Sequence, residues 1–233
     1  MGSRASLRTT SAHVLLSPEM FDAGGEISLD DATEHHLRRV LRLRAGEVVS
    51  VTDGAGGWRL AVVVVDGSSL RLAPDGAVQV EAAPSAPLTI AVAMPKGDRL
   101  EWLVQKSTEL GVDRLVLLHA DRSVVRWKPD RAATQRERLQ RVSDEACRQS
   151  RRVRRVVIDG PVDAAEVLGR FAVAEPGGRP VGPADRSVAI GPEGGWSPDE
   201  LELAADRVSL GPNILRTETA VVAASALCVT FER

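Results

Sequence analysis

From Leu88 onward, short apolar runs alternate with stretches of helical period, and this alternation restricts the fold more than any other feature of the sequence. LTIAVAM (88–94), RLVLLHA (114–120), RRVVI (154–158), RFAVAE (170–175), SVAI (187–190) and RVSLG (207–211) are apolar on consecutive residues. Strands covered on both faces read this way, and such strands lie parallel with helices as their crossovers. Between them, DRLEWLVQKSTELG predicts a helix with Leu100, Leu103, Ser107 and Leu110 on one face. Asp98 and Glu101 have capping-box spacing, and Gly111 suits the stop. Residues 130–150 predict a long helix after Pro129, with Leu139, Val142 and Ala146 inward. SPDELELAADR carries complete start signals: Ser197 as N-cap, Pro198 at N1 and Glu200 at N3. Residues 217–231 predict a last, apolar helix.

Upstream the grammar differs. HVLL (13–16) is a strand, and DATEHHLRRVLRL (31–43) predicts a helix with Leu37, Val40 and Leu41 on a buried stripe, ended by Gly46. VVSVTDG (48–54) and WRLAVVVV (58–65) flank GAGG as a hairpin. SLRLA (69–73) and VQVEA (78–82) predict two more strands, parted by a turn at Asp75-Gly76. This part is a small β-barrel or sandwich. APSAP (83–87) is a stiff connector. The expected division is therefore a β domain over 1–82 and an α/β domain over 88–233.

Two function classes are excluded early. No apolar run nears the roughly 18 residues of a membrane span, and MGSRASLRTTSAHVLLS lacks a signal-peptide core, so a cytoplasmic location is expected. Cys147 and Cys228 are too few for a disulfide framework. His13, His35, His36 and His119 lack ligand spacing, so no metal site is expected. A net charge of −2 conceals arginine clusters in HHLRRVLRLR (35–44), RERLQR (136–141) and RQSRRVRR (148–155). Clustered guanidinium forks suit phosphate and bases; a solvated helix face is the other reading.

Two loops could carry chemistry. IGPEGGWSPDE (190–200) joins a strand to a helix but is neither a Walker A nor a G-x-G-x-x-G loop. A phosphate cradle needs bare N–H groups and positive charge. Pro192 removes a donor and Glu193 repels an anion, so a ligand here is neutral or cationic near Glu193; a plain tight turn is the alternative. LGPNILRTETAVVAA (210–224) ends another strand in Gly-Pro and crowds Arg216, Thr217, Glu218 and Thr219 at a helix start. Capping accounts for Thr217 and Glu218 but not for Arg216. In open α/β sheets ligands sit at the carboxyl ends of strands, so the two loops could wall one pocket.

GPEGGWS..E and LG..ILRTETA, with KGDRLEWLVQKSTELGVDRL and HADRSVV upstream, resemble the bacterial 16S ribosomal RNA uridine N3-methyltransferases, which modify uridine 1498. The resemblance spans nearly the whole chain and includes HHLRRVLRLRAGE of an N-terminal PUA-like RNA-binding barrel. It implies a C-terminal SPOUT domain threaded as a trefoil knot, a homodimer, S-adenosylmethionine as cofactor, and the 30S small ribosomal subunit as partner. Carried over by position, Ile190, Gly191, Pro192, Glu193, Gly194 and Gly195 line one side of the cofactor pocket. Leu210, Gly211, Ile214, Leu215, Arg216, Thr217, Thr219 and Ala220 line the other. Arg122 and Arg152 match positions facing RNA; Arg38, Arg39, Arg42 and Arg148 lie in the basic stretches expected to grip it. Asn213 stands where the family usually has a basic residue, and Arg148 where it has an acidic one.

The chemistry so implied is displacement at a sulfonium carbon by uracil N3, which must first lose its proton. Arg216 is the candidate to stabilise charge on the flanking carbonyl oxygens. Glu193 and Glu218 are candidate bases, with water as a third. N3 lies on the Watson–Crick edge, so the target must be unpaired or flipped. Trp58, Trp102, Trp127 and Trp196 are expected mostly in the core. Two other functions stay open: a SPOUT enzyme acting on another RNA or atom, and a non-catalytic RNA-binding assembly factor.

Overall fold

A computed structural model describes residues 4–23, 25–67 and 69–229. The contacts divide the chain into two compact units, Met1–Ala83 with Cys147–Arg155, and Pro84–Ala146 with Val156–Arg233.

The first unit has five strands: β1 (His13–Leu15), β2 (Ile27–Ser28), β3 (Val48–Thr52), β4 (Gly57–Asp66) and β5 (Ser69–Val80). Their order is β1-β3-β4-β5-β2, and among the described residues only the β1–β3 pair is parallel. Val14, Ile27, Val49, Val51, Val63 and Leu72 bury the inner face. Short helices α1 (Arg4–Arg8), α2 (Pro18–Phe21) and α3 (Asp31–His35) join them. Residues 69–80 form one long strand, not two. Gly76, at φ 88, sits inside it where the register with β4 shifts. Asp75-Gly76 is therefore a bulge in place of the expected turn, and a glycine tolerates its left-handed backbone.

The expected helix over 31–43 is also altered. After α3 the chain widens into a π-helical turn, His36–Val40, and then reverses at Arg42 with φ 56. A wider turn rotates later residues off the predicted stripe. Leu37 and Leu43 stay buried, whereas Val40 and Leu41 are 60% and 44% exposed. The left-handed arginine costs about 1–2 kcal/mol of backbone energy.

Residues 147–155 complete this unit. His13 is buried with its Nδ1 2.8 Å from Ser50 Oγ and its Nε2 3.1 Å from the Arg152 carbonyl. The carbonyl can only accept, so Nε2 carries the proton and Nδ1 accepts from Ser50. Burial, reinforced by the positive charges of Arg151 and Arg148 against the Arg152 carbonyl's opposing pull, holds the His13 pKa down at about 4. Arg151 donates to Thr10 Oγ1 and to the Thr10 carbonyl, at 2.5 and 2.6 Å.

The second unit is a six-stranded, all-parallel sheet in the order β11-β9-β10-β6-β7-β8. The strands are β6 (Thr89–Ala93), β7 (Arg114–His119), β8 (Val157–Asp163), β9 (Ala172–Pro180), β10 (Ser187–Ile190) and β11 (Asp206–Ser209). The helices are α4 (Arg99–Leu110), α5 (Pro129–Ser150), α6 (Pro198–Leu203) and α7 (Thr217–Cys228). Both sheet faces are apolar. Ile90, Val92, Leu115, Leu117 and Val188 face one core, and Ala91, Ala93, Leu118, Val173 and Ala189 face the other. Alternate residues thus point to opposite cores, which is why the strands read as unbroken apolar runs. Gly111 ends α4 at φ 93, as expected. Asp98 makes no capping bond, because it already has helical dihedrals (φ −70, ψ −6), and Glu101 pairs instead with Arg138 at 2.5 Å. α7 is described to Cys228; residues 230–231 of the predicted helix lie outside the described residues.

Candidate functional site: a cleft at the strand ends of the second unit

Central strand β10 ends at Ile190, and the chain turns at once through Pro192–Gly195, closed by the Gly195 N–H donating to the Pro192 carbonyl at 2.9 Å. Gly195 has φ 70, a conformation that excludes most side chains. The turn lies on the Trp196 indole. A Cβ on Gly191 would sit 3.0 Å from that ring, so a side chain there would crowd the indole. Ser197 then starts α6 with the full capping box: its hydroxyl accepts from Glu200 N–H, and Glu200 Oε2 accepts from Ser197 N–H. Glu200 is buried, and its other oxygen accepts from the Asp121 N–H at 2.9 Å.

The second loop leaves β11 and enters α7 at Thr217. Thr217 is buried, and its hydroxyl donates to the Gly191 carbonyl at 3.1 Å. That bond joins the two strand-end loops. Between them opens a cleft of about 540 Å³, in the size range of small-ligand sites. Among the described residues its lining holds two carboxylates, Glu175 and Glu193, and no lysine or arginine. Such a lining suits a neutral or cationic ligand and opposes a phosphate.

Of the residues singled out from sequence, Ile190, Gly191, Pro192, Glu193, Gly194 and Gly195 line one side of the cleft. Leu210, Gly211, Ile214, Leu215, Thr217 and Ala220 line the other. Arg216, Glu218 and Thr219 are not among the lining residues. Arg216 is exposed at the N-cap of α7 without a capping bond, and its guanidinium meets no partner among the described residues. Glu218 is largely buried, and its Oε2 lacks a hydrogen-bond partner among the described residues. Arg122 donates to the Gly194 carbonyl at 3.0 Å and so braces the first loop. Arg152, expected to face RNA, is buried with its Nε bonded to the Arg154 carbonyl. Arg148 is half-buried in the last turn of α5. Arg39 and Arg42 are exposed and Arg38 partly so.

Sequence reasoning missed Arg99, Trp196 and the segment 174–177, as well as Ser209, Pro212 and Asn213 of the second loop. Arg99, at the start of α4, stands 3.6 Å from Glu193 and 3.7 Å from Glu218, between the two candidate bases. Ala174–Gly177 supplies a third side of the cleft, and Trp196, packed on Gly191, also lines it. The signal for the third side was present: EPGG (175–178) echoes the acid, proline and glycines of the first loop.

The chain matches the RNA methyltransferase domain family over residues 82–229 and the RNA methyltransferase PUA domain family over 29–73. It is 33% identical to ribosomal RNA small subunit methyltransferase E of Synechocystis, covering 86% of this chain and 71% of that protein. It is 31% identical to the protein of the same name in Mycobacterium bovis, over 87% of this chain and 86% of the other. Ribosomal RNA small subunit methyltransferase E of Neisseria gonorrhoeae, solved bound to S-adenosyl methionine, superposes with a TM-score of 0.74 at 28% identity, over 92% of this chain and 95% of that one. The fold is thus of the SPOUT α/β class, preceded by a PUA-like sheet. Within that class, the chain belongs to the ribosomal RNA small subunit methyltransferase E family.

Proposed function

We propose that this chain transfers a methyl group from S-adenosylmethionine to N3 of a uridine in 16S ribosomal RNA, at the position of uridine 1498. The observation that carries the reading is the cleft itself: two strand-end loops tied by Thr217 and Gly191, lined among the described residues by carboxylates and no basic residue. Those features fit a nucleoside that carries a sulfonium cation. When bound, the cofactor supplies an electrophilic methyl group.

The protein's own groups would divide the remaining work. Gly191, Gly194 and Gly195 let the backbone approach a flat ring closely. Trp196 lines the cleft against Gly191. Arg216, exposed and unpartnered at the head of α7, is free to meet the negative charge that spreads to the uracil oxygens as N3 loses its proton. Such preorganised charge is worth about 3–4 kcal/mol. Glu193 lines the cleft and Glu218 does not, so Glu193 is the better placed proton acceptor. Arg99, held loosely between the two, offsets their mutual repulsion. Arg38, Arg39 and Arg42 would hold RNA phosphates in the first unit, with 1–82 and 88–233 acting as RNA-binding and methyl-transferring domains.

We further take the chain to work as a homodimer with knotted site loops, in the cytoplasm, on the 30S subunit. Exposed Trp102 on α4 and Leu227 on α7 support self-association. No helix among the described residues is long and apolar enough to cross a membrane. The test is Arg216→Ala. Calorimetric affinity for S-adenosylmethionine should stay within about threefold, while methylation, mapped by nucleoside mass in ribosomal RNA, falls about 100-fold or more. Full activity in that variant removes Arg216 from the mechanism.

A further inference from the structure

The turn over His36–Arg44 makes an unusual choice. A π-helical turn followed by a left-handed, non-glycine Arg42 places two adjacent aliphatic side chains, Val40 and Leu41, in solvent. A regular helical period would place both on the same stripe as buried Leu37. π-turns are rare and concentrate at functional sites, and a residue held in a sparsely populated backbone region points the same way. The flanking charge says what kind of partner fits. Arg39, Arg42 and Arg44 are exposed, Arg38 is partly so, and the guanidiniums of Arg38, Arg39 and Arg42 have no hydrogen bond or ion pair among the described residues. An exposed apolar pair flanked in the chain by guanidiniums without partners among the described residues is complementary to a polymer with phosphates outside and apolar base faces within.

The composition of the first unit sharpens the point. RNA-binding surfaces commonly stack bases on aromatic rings. This chain has no tyrosine, and the aromatics of the first unit, Phe21 and Trp58, are both buried. Apart from guanidinium planes and the imidazoles of exposed His35 and half-buried His36, base faces there would meet aliphatic groups. Aliphatic side chains do serve as wedges that unstack a base step.

We propose that Val40 and Leu41 form an aliphatic wedge that packs against an unstacked base of bound RNA, while Arg38, Arg39 and Arg42 fix the adjoining phosphates. This rests on the RNA-modifying function proposed above and adds a mode of base contact to it. The two kinds of contact separate by salt, because phosphate contacts set the slope of log affinity against log salt and base packing does not.

The probe is a stem-loop RNA with a bulge that carries 2-aminopurine, titrated with the full chain over a range of KCl concentrations. Wild type should raise the 2-aminopurine fluorescence on binding. The double variant Val40→Ser/Leu41→Ser should bind about tenfold more weakly with an unchanged salt slope, and without that rise. Arg39→Ala/Arg42→Ala should lower the slope by about 1.4, at about 0.7 per phosphate. Val65→Ser, an equally solvent-exposed apolar site in the same unit, should behave as wild type. All variants alter exposed residues, and equal melting temperatures would confirm that each is folded. Wild-type affinity in the Val40/Leu41 variant, a fluorescence rise that persists there, or a lowered slope would overturn the wedge alone. If wild type binds no RNA, the RNA-modifying function falls, and the wedge with it.

Discussion

The two loops that wall the cleft are built differently. The loop after β10 is fastened from every side: its turn is closed on itself, Trp196 lies beneath it, Arg122 holds the Gly194 carbonyl, and the Ser197–Glu200 cap locks its exit. The loop after β11 has almost none of this. Gly211, Pro212, Asn213 and Ile214 are all exposed, and its side-chain bonds are local ones between Ser209 and Gly211. One wall is preformed, and the other has spare conformational freedom that a ligand would remove. Binding loops are generally drawn from the less stable parts of a fold. Here a single molecule pairs such a loop with a rigid one, linked through Thr217.

That contrast can be broken most forcefully at its base. Trp196→Ala should lower stability by about 3–5 kcal/mol in a chemical denaturation, because it empties the space under the first wall. A loss below 1 kcal/mol would mean the indole supports nothing. Next, Thr217→Val deletes the bond between the walls while keeping the side chain's shape, and should cost about 1 kcal/mol. Its cofactor affinity should fall as well, since the walls lose their common tie; calorimetry reads both. The mildest effect on the fold belongs to Ile214→Ser. With 90% of that residue exposed, stability should stay within about 0.5 kcal/mol of wild type. S-adenosylmethionine affinity should nevertheless drop about fivefold, through about 1 kcal/mol of lost apolar contact. An Ile214 variant that destabilises the protein more than Thr217→Val would reverse the assignment of rigid and adaptable walls.

Much of this was legible from residues alone, for identifiable reasons. The parallel sheet announces itself because β6, β7 and β10 are buried on both faces and cannot alternate. The strand order does not, since crossovers leave no mark on composition. The two Gly-Pro loops stood out against apolar strands, whereas EPGG hid inside β9, which continues through it to Pro180. Arg99 was invisible as a site residue because only the packing of α4 brings it to Glu193 and Glu218. A period of 3.6 predicts Val40 and Leu41 on a buried stripe, but the chain winds more widely there and exposes both. Arg152 looked like one more member of a basic run, but the burial of residues 152 and 153 is set by the β1 and β3 side chains they meet.

Residues 147–155 have a consequence for how the molecule comes into being. Gly56 donates to the Val153 carbonyl, Val153 packs with Leu7 and Trp58, and Arg154 bonds the Glu81 carbonyl. A peptide cut at Ala83 would therefore lack part of its own interior. During synthesis the earliest-made sheet must wait, unfinished, for a segment translated some seventy codons later. Its completion and the growth of the second unit are events in one order, not two independent ones.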